Sequence, residues 1–143
     1  MKLREIMTRQ VVRINPEEPV SVAARMLEHY NVGALPVCDG RGQVCGLVTD
    51  RDLVTRCIAS GRNPVATPVR DVMTRNVISA REDMDVAVAA HLMGREQIRR
   101  LVVIENGKLC GMVSLGDLAN REQTSLDAGD ALTDISSNLS VRD

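Results

Sequence analysis

Two eight-residue segments hold the residue types best suited to chemistry in this 143-residue chain: Gly46-Leu47-Val48-Thr49-Asp50-Arg51-Asp52-Leu53 and Gly111-Met112-Val113-Ser114-Leu115-Gly116-Asp117-Leu118. In each, an apolar run delivers a hydroxyl residue, and an Asp follows three positions later. A strand running into a helix would place Thr49 and Ser114 at helix starts, where the first backbone N–H groups lack intrahelical partners and carry partial positive charge. A phosphate can be held there with help from the hydroxyl. The carboxylate of Asp52 or Asp117 could accept both hydrogens of a ribose diol. Hydroxyl, helix start and Asp together suit a ribonucleotide. The same spacing is also the Thr/Ser-x-x-Asp capping box, which stabilises a helix start and needs no ligand. Both readings stand open at this point.

Other chemistries find less support. His29 and His91 fall within helical patterns, and neither a Ser-His-Asp nor a Cys-His arrangement can be assembled, so no catalytic residue is assigned and no enzyme is expected. The cysteines, at 38, 45, 57 and 110, include no Cys-x-x-Cys pair, so no metal site is assigned. Cys38 and Cys45 flank a turn and could lie across from each other, and are expected as reduced thiols. There is no Phe or Trp and a single Tyr, Tyr30, which excludes a ladder of stacked bases and argues against an aromatic cage. The net charge of −1 gives no general attraction to nucleic acid or to an anionic membrane. Residues 122–143 set Arg142 against Glu122, Asp127, Asp130, Asp134 and Asp143, so the tail is acidic and the body mildly basic. No apolar run is long enough for a membrane helix, and Met1–Glu5 lack a signal-peptide character, so a cytoplasmic location is expected.

The elements that must position these residues occur twice. Leu3–Cys38 aligns with Val69–Ile104, with identities such as Met7/Met73, Thr8/Thr74, Val20/Val86, Ala23/Ala89 and Leu35/Leu101; after one extra residue in a turn, Gly46/Gly111, Asp52/Asp117 and Leu53/Leu118 match as well. In the first copy, Thr8–Ile14 reads as extended and Asn15-Pro16 as a turn. A helix from about Pro19 to Tyr30 turns Ala23, Met26, Leu27 and Tyr30 toward a core. Leu35–Cys38 and Val44–Val48 form a hairpin, and Thr49 caps a second helix that carries Leu53, Val54, Cys57 and Ile58 and stops near Gly61. The order β-α-β-β-α repeats from Thr74 to Ala119. The organisation read from this is a first motif over residues 1–62, a linker over 63–69, a second motif over 70–121 and the acidic tail over 122–143. In that tail, Thr124-Ser125-Leu126-Asp127 could cap a short helix presenting Leu132, Ile135 and Leu139. Units this small bury a sheet face best against each other, so the fold class is α/β (α+β), two β-α-β-β-α motifs related by pseudo-twofold symmetry. A remaining apolar helical surface makes a homodimer the expected assembly.

The arrangement resembles the CBS domain family (cystathionine β-synthase domains) in the tandem pair called a Bateman module, of the small stand-alone bacterial type. The resemblance covers residues 3–121. It rests on Ile6-Met7-Thr8 and Val72-Met73-Thr74, on Val32-Gly33-Ala34-Leu35-Pro36-Val37 and Ile98-Arg99-Arg100-Leu101-Val102-Val103, and on the two Gly-h-h-Thr/Ser-x-x-Asp-h segments, where h is hydrophobic. It implies a non-catalytic regulatory or sensor module that binds an adenosine compound (AMP, ADP, ATP or S-adenosylmethionine) in clefts between the paired motifs and requires no cofactor. Carried over residue by residue, it implies a first cleft from Thr49 and Asp52 with Thr74, Val77, Ile98, Arg99 and Arg100. A second, weaker cleft would use Ser114 and Asp117 with Thr8, Val11, Val32, Gly33 and Ala34. Gly33-Ala34 stands there in place of the arginine pair, which suits phosphate through paired hydrogen bonds; the alternative for Arg99 and Arg100 is a solvated pair before a strand. Without stacked rings, adenine would lie between aliphatic walls such as Val77 and Ile98. The partners implied are an effector protein of unknown identity and a second copy of the chain, with no nucleic acid and no membrane. The alternative is a dimeric scaffold or protein-interaction module whose ligand clefts are vestigial.

Overall fold

The structure, a computed structural model, describes residues 1–120 and 125–142. The chain divides into two compact units, one of Met1–Gln10, Ile78–Asn106 and Cys110–Asp143, the other of Val11–Val77 and Gly107–Leu109. Each unit pairs the body of one repeat with the entrance segment of the other. Leu3, Ile6 and Met7 are buried in the core of the second repeat, and Val69, Val72 and Met73 in that of the first. The matching Ile/Val-Met-Thr entrances therefore serve the same packing role in both copies.

In the first repeat's unit, α1 spans Val20–Tyr30 and buries Val20, Ala23 and Leu27, the apolar face set by its i, i+3, i+7 spacing. Pro19 stands at the N-cap and Asn31, in the left-handed region at φ 53°, ends the helix. Tyr30 was expected to face the core; it is 49% exposed. It occupies the final residue before the left-handed turn, where its ring packs edge-on against His29 at 4.8 Å rather than inward. β1 (Ala34–Cys38) is buried throughout and pairs antiparallel with β2 (Val44–Thr49), from Ala34↔Thr49 to Cys38↔Val44. Asp39 shapes the intervening turn by accepting from the N–H groups of Arg41 (2.9 Å) and Gln43 (3.0 Å). Its register slips between Val37 and Cys38, leaving Cys45 as the extra residue with its thiol 3.4 Å from the Val37 carbonyl. α2 (Asp50–Asp52) continues as a π-helical segment, Leu53–Ile58, that buries Leu53 and Cys57.

In the second repeat's unit, β3 (Ser79–Ala80) runs parallel to β4 (Arg100–Glu105), which neighbours β5 (Lys108–Ser114). α3 (Val86–Glu96) and α4 (Leu115–Ala119) complete the repeat. The first copy's expected strand over Thr8–Ile14 shrinks to Ile14, whose N–H and carbonyl bond Pro36 and Cys38 of β1. Thr8 is instead drawn to β5 of the other unit's sheet, so the segment between cannot follow one strand.

The tail forms α5 (Ser125–Arg142), 18 residues long, packed on α3 and α4. Among its described side chains, Ala128, Ala131 and Ile135 are buried, whereas Leu132 is 40% exposed. Small residues win that stripe because α5 approaches α3 closely: a Cβ built on Gly94 would lie 3.3 Å from the Cα of Ala131. Thr124 and the side chain of Leu139, both named in the expected helix, lie outside the described residues.

Candidate functional site

Both hydroxyl–carboxylate helix starts form the complete capping box. The Thr49 hydroxyl accepts from the Asp52 N–H (3.1 Å), and the Thr49 N–H donates to Asp52 Oδ2 (2.9 Å). The Ser114 hydroxyl accepts from the Asp117 N–H (3.0 Å), and the Ser114 N–H donates to Asp117 Oδ2 (2.8 Å). The next amide is also engaged in each copy, Asp50 N–H with the Gly33 carbonyl (3.1 Å) and Leu115 N–H with the Arg99 carbonyl (2.8 Å). Arg51 N–H donates to Asp50 Oδ1 (2.8 Å). The first three amides of α2 thus all have protein acceptors, which weakens the helix start as an anion site.

In the first copy the site includes a residue the sequence reading missed. Asp52 is 9% exposed, and its second oxygen, Oδ1, faces Arg56 Nε at 3.7 Å. The Arg56 guanidinium also donates from Nη1 to the carbonyls of Val72 and Met73, both at 3.1 Å, and to the Thr74 hydroxyl at 3.4 Å. Arg56 therefore ties the capping carboxylate to the entrance segment, and brings Thr49, Asp52 and Thr74 into one network. The i, i+4 spacing of Asp52 and Arg56 on a helix was the available signal. The repeat counterpart of Arg56, Arg121, lies outside the described residues.

Close strand pairing positions the entrance threonines. Thr74 exchanges backbone hydrogen bonds with Leu47 (2.8 and 3.0 Å), and Thr8 does so with Met112 (2.9 and 3.0 Å). Gly46 and Gly111 make room for them. A Cβ on Gly46 would meet Met73 Sδ at 2.5 Å and the Thr74 carbonyl at 3.0 Å; on Gly111 it would meet the Thr8 carbonyl at 2.8 Å. The glycine of the repeated Gly-h-h-Thr/Ser pattern is thus a packing requirement.

Of the remaining expected residues, Val77 is half-buried and shares the unit of Thr49, Asp52 and Thr74. Val11 and Gly33 (half-buried), Val32 (exposed) and Ala34 (buried) also belong to that unit. Ile98, Arg99 and Arg100 belong to the other, together with Thr8, Ser114 and Asp117. Ile98 packs on that unit's core, Arg99 is exposed, and Arg100 opens β4 half-buried. Cys38, Cys45 and Cys57 form no disulfide. Burial pushes the Cys38 and Cys45 thiols above their ordinary range, with Arg13 opposing the effect at Cys38. Both are therefore protonated and poorly nucleophilic at neutral pH. Among the described residues no group of side chains could hold a metal ion, and no helix is long and apolar enough to cross a membrane.

This arrangement matches known proteins along most of its length. The CBS domain family profile fits residues 3–58 and again residues 69–123. The CBS domain-containing protein YhcV of Bacillus subtilis is 40% identical over 134 residues, 94% of this chain and 94% of that protein. The crystal structure of the conserved CBS domain protein TA0289 from Thermoplasma acidophilum aligns with a TM-score of 0.82 at 26% identity, covering 94% of this chain and 75% of that one. The CBS domain pair of protein MJ0100, solved in complex with 5′-methylthioadenosine and S-adenosyl-L-methionine, aligns with a TM-score of 0.76 at 25% identity, covering 83% of this chain and 93% of that pair. Two family matches on the two copies of one internal repeat establish that the chain belongs to the CBS domain family and carries two of its domains in tandem.

Proposed function

We propose that the chain is a non-catalytic regulatory module that binds an adenosine compound, AMP, ADP, ATP or S-adenosylmethionine, and acts in the cytoplasm as a homodimer on a separate effector. The observation that carries this reading is the half-committed carboxylate of Asp52: one oxygen caps α2, while the other meets Arg56 only at 3.7 Å, longer than a hydrogen bond. That oxygen is the natural acceptor for a ribose hydroxyl. The related CBS pair of MJ0100 holds two adenosine compounds, which favours this ligand class. Val77, in the unit of Asp52, supplies an aliphatic wall for adenine. Because the first amides of α2 already have acceptors, phosphate recognition falls to side chains and not to the helix start. The Ser114 and Asp117 set is the weaker counterpart.

Arg56 gives the ligand something to move. A ribose on Asp52 Oδ1 competes for the carboxylate that helps orient Arg56, and Arg56 in turn holds the carbonyls of Val72 and Met73. A ligand shifts an equilibrium only through different affinities for two states, and this link supplies such a difference. Arg56→Met, which keeps an aliphatic stem and removes the donors, is expected to lower unfolding stability by about 1 kcal/mol in urea titrations.

The scaffold alternative is favoured by the capping boxes, which are complete without any ligand. Melting temperature separates the two. A ligand at about 100 times its dissociation constant adds roughly 2.7 kcal/mol to stability, a shift of several degrees. A rise with at least one of the four compounds is expected; no rise with any of them at millimolar concentration would leave the scaffold reading standing.

A further inference from the structure

One helical face recurs in both repeats with different outcomes. Ala87, Ala90 and Gly94 of α3 match Ser21, Ala24 and Glu28 of α1. On α3 this face lies under α5: Ala87 and Ala90 share a cavity of about 210 Å³ with residues of α5, and a Cβ on Gly94 would lie 3.3 Å from the Cα of Ala131. On α1 the face borders an open cavity of about 750 Å³ lined by Ser21, Ala24 and Arg25 with Val54 and Ile58. Ala24, Arg25 and Glu28 are exposed, Val54 and Ile58 are each 58% exposed, and Val65 is 68% exposed. A concentration of exposed aliphatic side chains on one groove marks an interaction surface.

We infer that this α1 face pairs with the same face of a second copy about a twofold axis, and that the chain self-associates through its first repeat alone, because α5 takes the matching face of the second. The inference rests on the homodimer of the proposed function and assigns its surface. Charge selects the occupant. The face carries both signs: Arg25 and Glu28 stand three residues apart on α1, Asp50 lines the same cavity, and none of the three makes an ion pair among the described residues. A wholly basic partner would meet an unpaired cation, and a wholly acidic one two unpaired carboxylates. A second copy meets neither. In an antiparallel pair of α1 helices centred between these positions, Arg25 faces the partner's Glu28 and Glu28 faces the partner's Arg25, so the pattern complements itself. The small side chains of Ser21 and Ala24 let the two helices approach closely, as Ala87 and Ala90 do for α5. The chain's own α5 does not serve instead, since its stripe of Ala128, Ala131 and Ile135 is already buried.

The test is sedimentation velocity of the full chain without nucleotide across micromolar concentrations. A dimer is expected. Ile58→Asp and Val65→Asp, both at exposed positions, should each weaken it about thirtyfold or more, with the fold retained by circular dichroism. Val88→Asp, at a 56% exposed position of α3, should leave it intact. Arg25→Glu and Glu28→Arg should each weaken it about tenfold. An equimolar mixture of those two variants should regain association close to wild type, because each chain then supplies the charges the other lacks. A wild-type chain that stays monomeric overturns this inference and the homodimer of the proposed function together. A dimer that survives both Ile58→Asp and Val65→Asp overturns the inference alone and leaves the homodimer on another face. A tetramer, a dimer broken by Val88→Asp, or a mixture that associates no more tightly than its two components overturns it as well.

Discussion

Asp52→Ala is expected to lower unfolding stability by about 2 kcal/mol and to remove the response to adenosine compounds, whereas Asp52→Asn removes most of the response at little cost in stability. The two variants separate the roles of one side chain. Alanine deletes the acceptor for the Thr49 N–H and leaves Arg56 without its carboxylate, and loss of a helix cap alone costs roughly 0.5–2 kcal/mol. Asparagine retains an oxygen acceptor for that N–H, so the cap survives. It lacks the charge, and hydrogen bonds to charged groups contribute roughly 1.5–3 kcal/mol against about 1 for neutral ones. Affinity for the ribose should therefore fall on the order of tenfold. Urea denaturation reports the first effect and ligand titration the second. Equal stability losses for both variants would contradict the division of labour between Oδ2 and Oδ1. Asp117→Asn, in the weaker set, is expected to leave the dominant response in place.

Gly111→Val is expected to cost about 3 kcal/mol, the largest single loss in the chain outside core truncations. The added atoms would stand where the Thr8 carbonyl lies 2.8 Å and the Met7 thioether 2.9 Å from an ideal Cβ. Met7 can swing its far end, but the Thr8 carbonyl cannot retreat without breaking both backbone bonds to Met112. Overpacking of this kind typically costs about 1–3 kcal/mol, and a β-branched side chain falls at the upper end. Gly46→Ala should be milder, because the tightest neighbour there is the flexible Met73 thioether, with the Thr74 carbonyl at 3.0 Å. Gly40→Ala is the control: nothing lies within 4 Å of its Cβ, and the change should stay within about 0.5 kcal/mol in chemical denaturation. A Gly111→Val chain as stable as wild type would show that the entrance segment does not pair with β5 as described.

Much of this was legible in the residues. The β-α-β-β-α order, both hairpins and the capping roles of Thr49 and Ser114 follow from local chemistry: alternation, turn residues and cap preferences act within a few positions. The same locality limits what can be read. A repeat reveals that Leu3–Thr8 and Val69–Thr74 are alike, but nothing in either segment says which copy's core receives it; each packs with the other copy. The extended pattern of Thr8–Ile14 was real in hydrophobic spacing, yet only Ile14 finds a strand, because long-range pairing takes Thr8 elsewhere. Tyr30 matched a helical face and still points to solvent, since the helix ends one residue later. In α5 the expected stripe keeps Ile135 buried but not Leu132, and Ala128 and Ala131 pack inward beside Ile135, an advantage that appears only once Gly94 lies opposite. Arg56 was missed for a related reason: its i, i+4 partner was visible, but its carbonyl acceptors at Val72 and Met73 are far along the chain.

The capping box that stabilises the helix start of α2 consumes the hydroxyl, one carboxylate oxygen and the nearest amides, so in the proposed reading ligand recognition is left to what the cap does not use. In the first copy that remainder is Asp52 Oδ1, Arg56 and the Thr74 hydroxyl. The central claim, an adenosine compound recognised through Asp52, is tested most directly by isothermal titration calorimetry of the full chain and of Asp52→Asn with AMP, ADP, ATP and S-adenosylmethionine. The account predicts saturable heat with at least one compound, weakened on the order of tenfold in the folded Asp52→Asn chain. No heat with any of the four at sub-millimolar concentration, or equal affinity in the two chains, would contradict it.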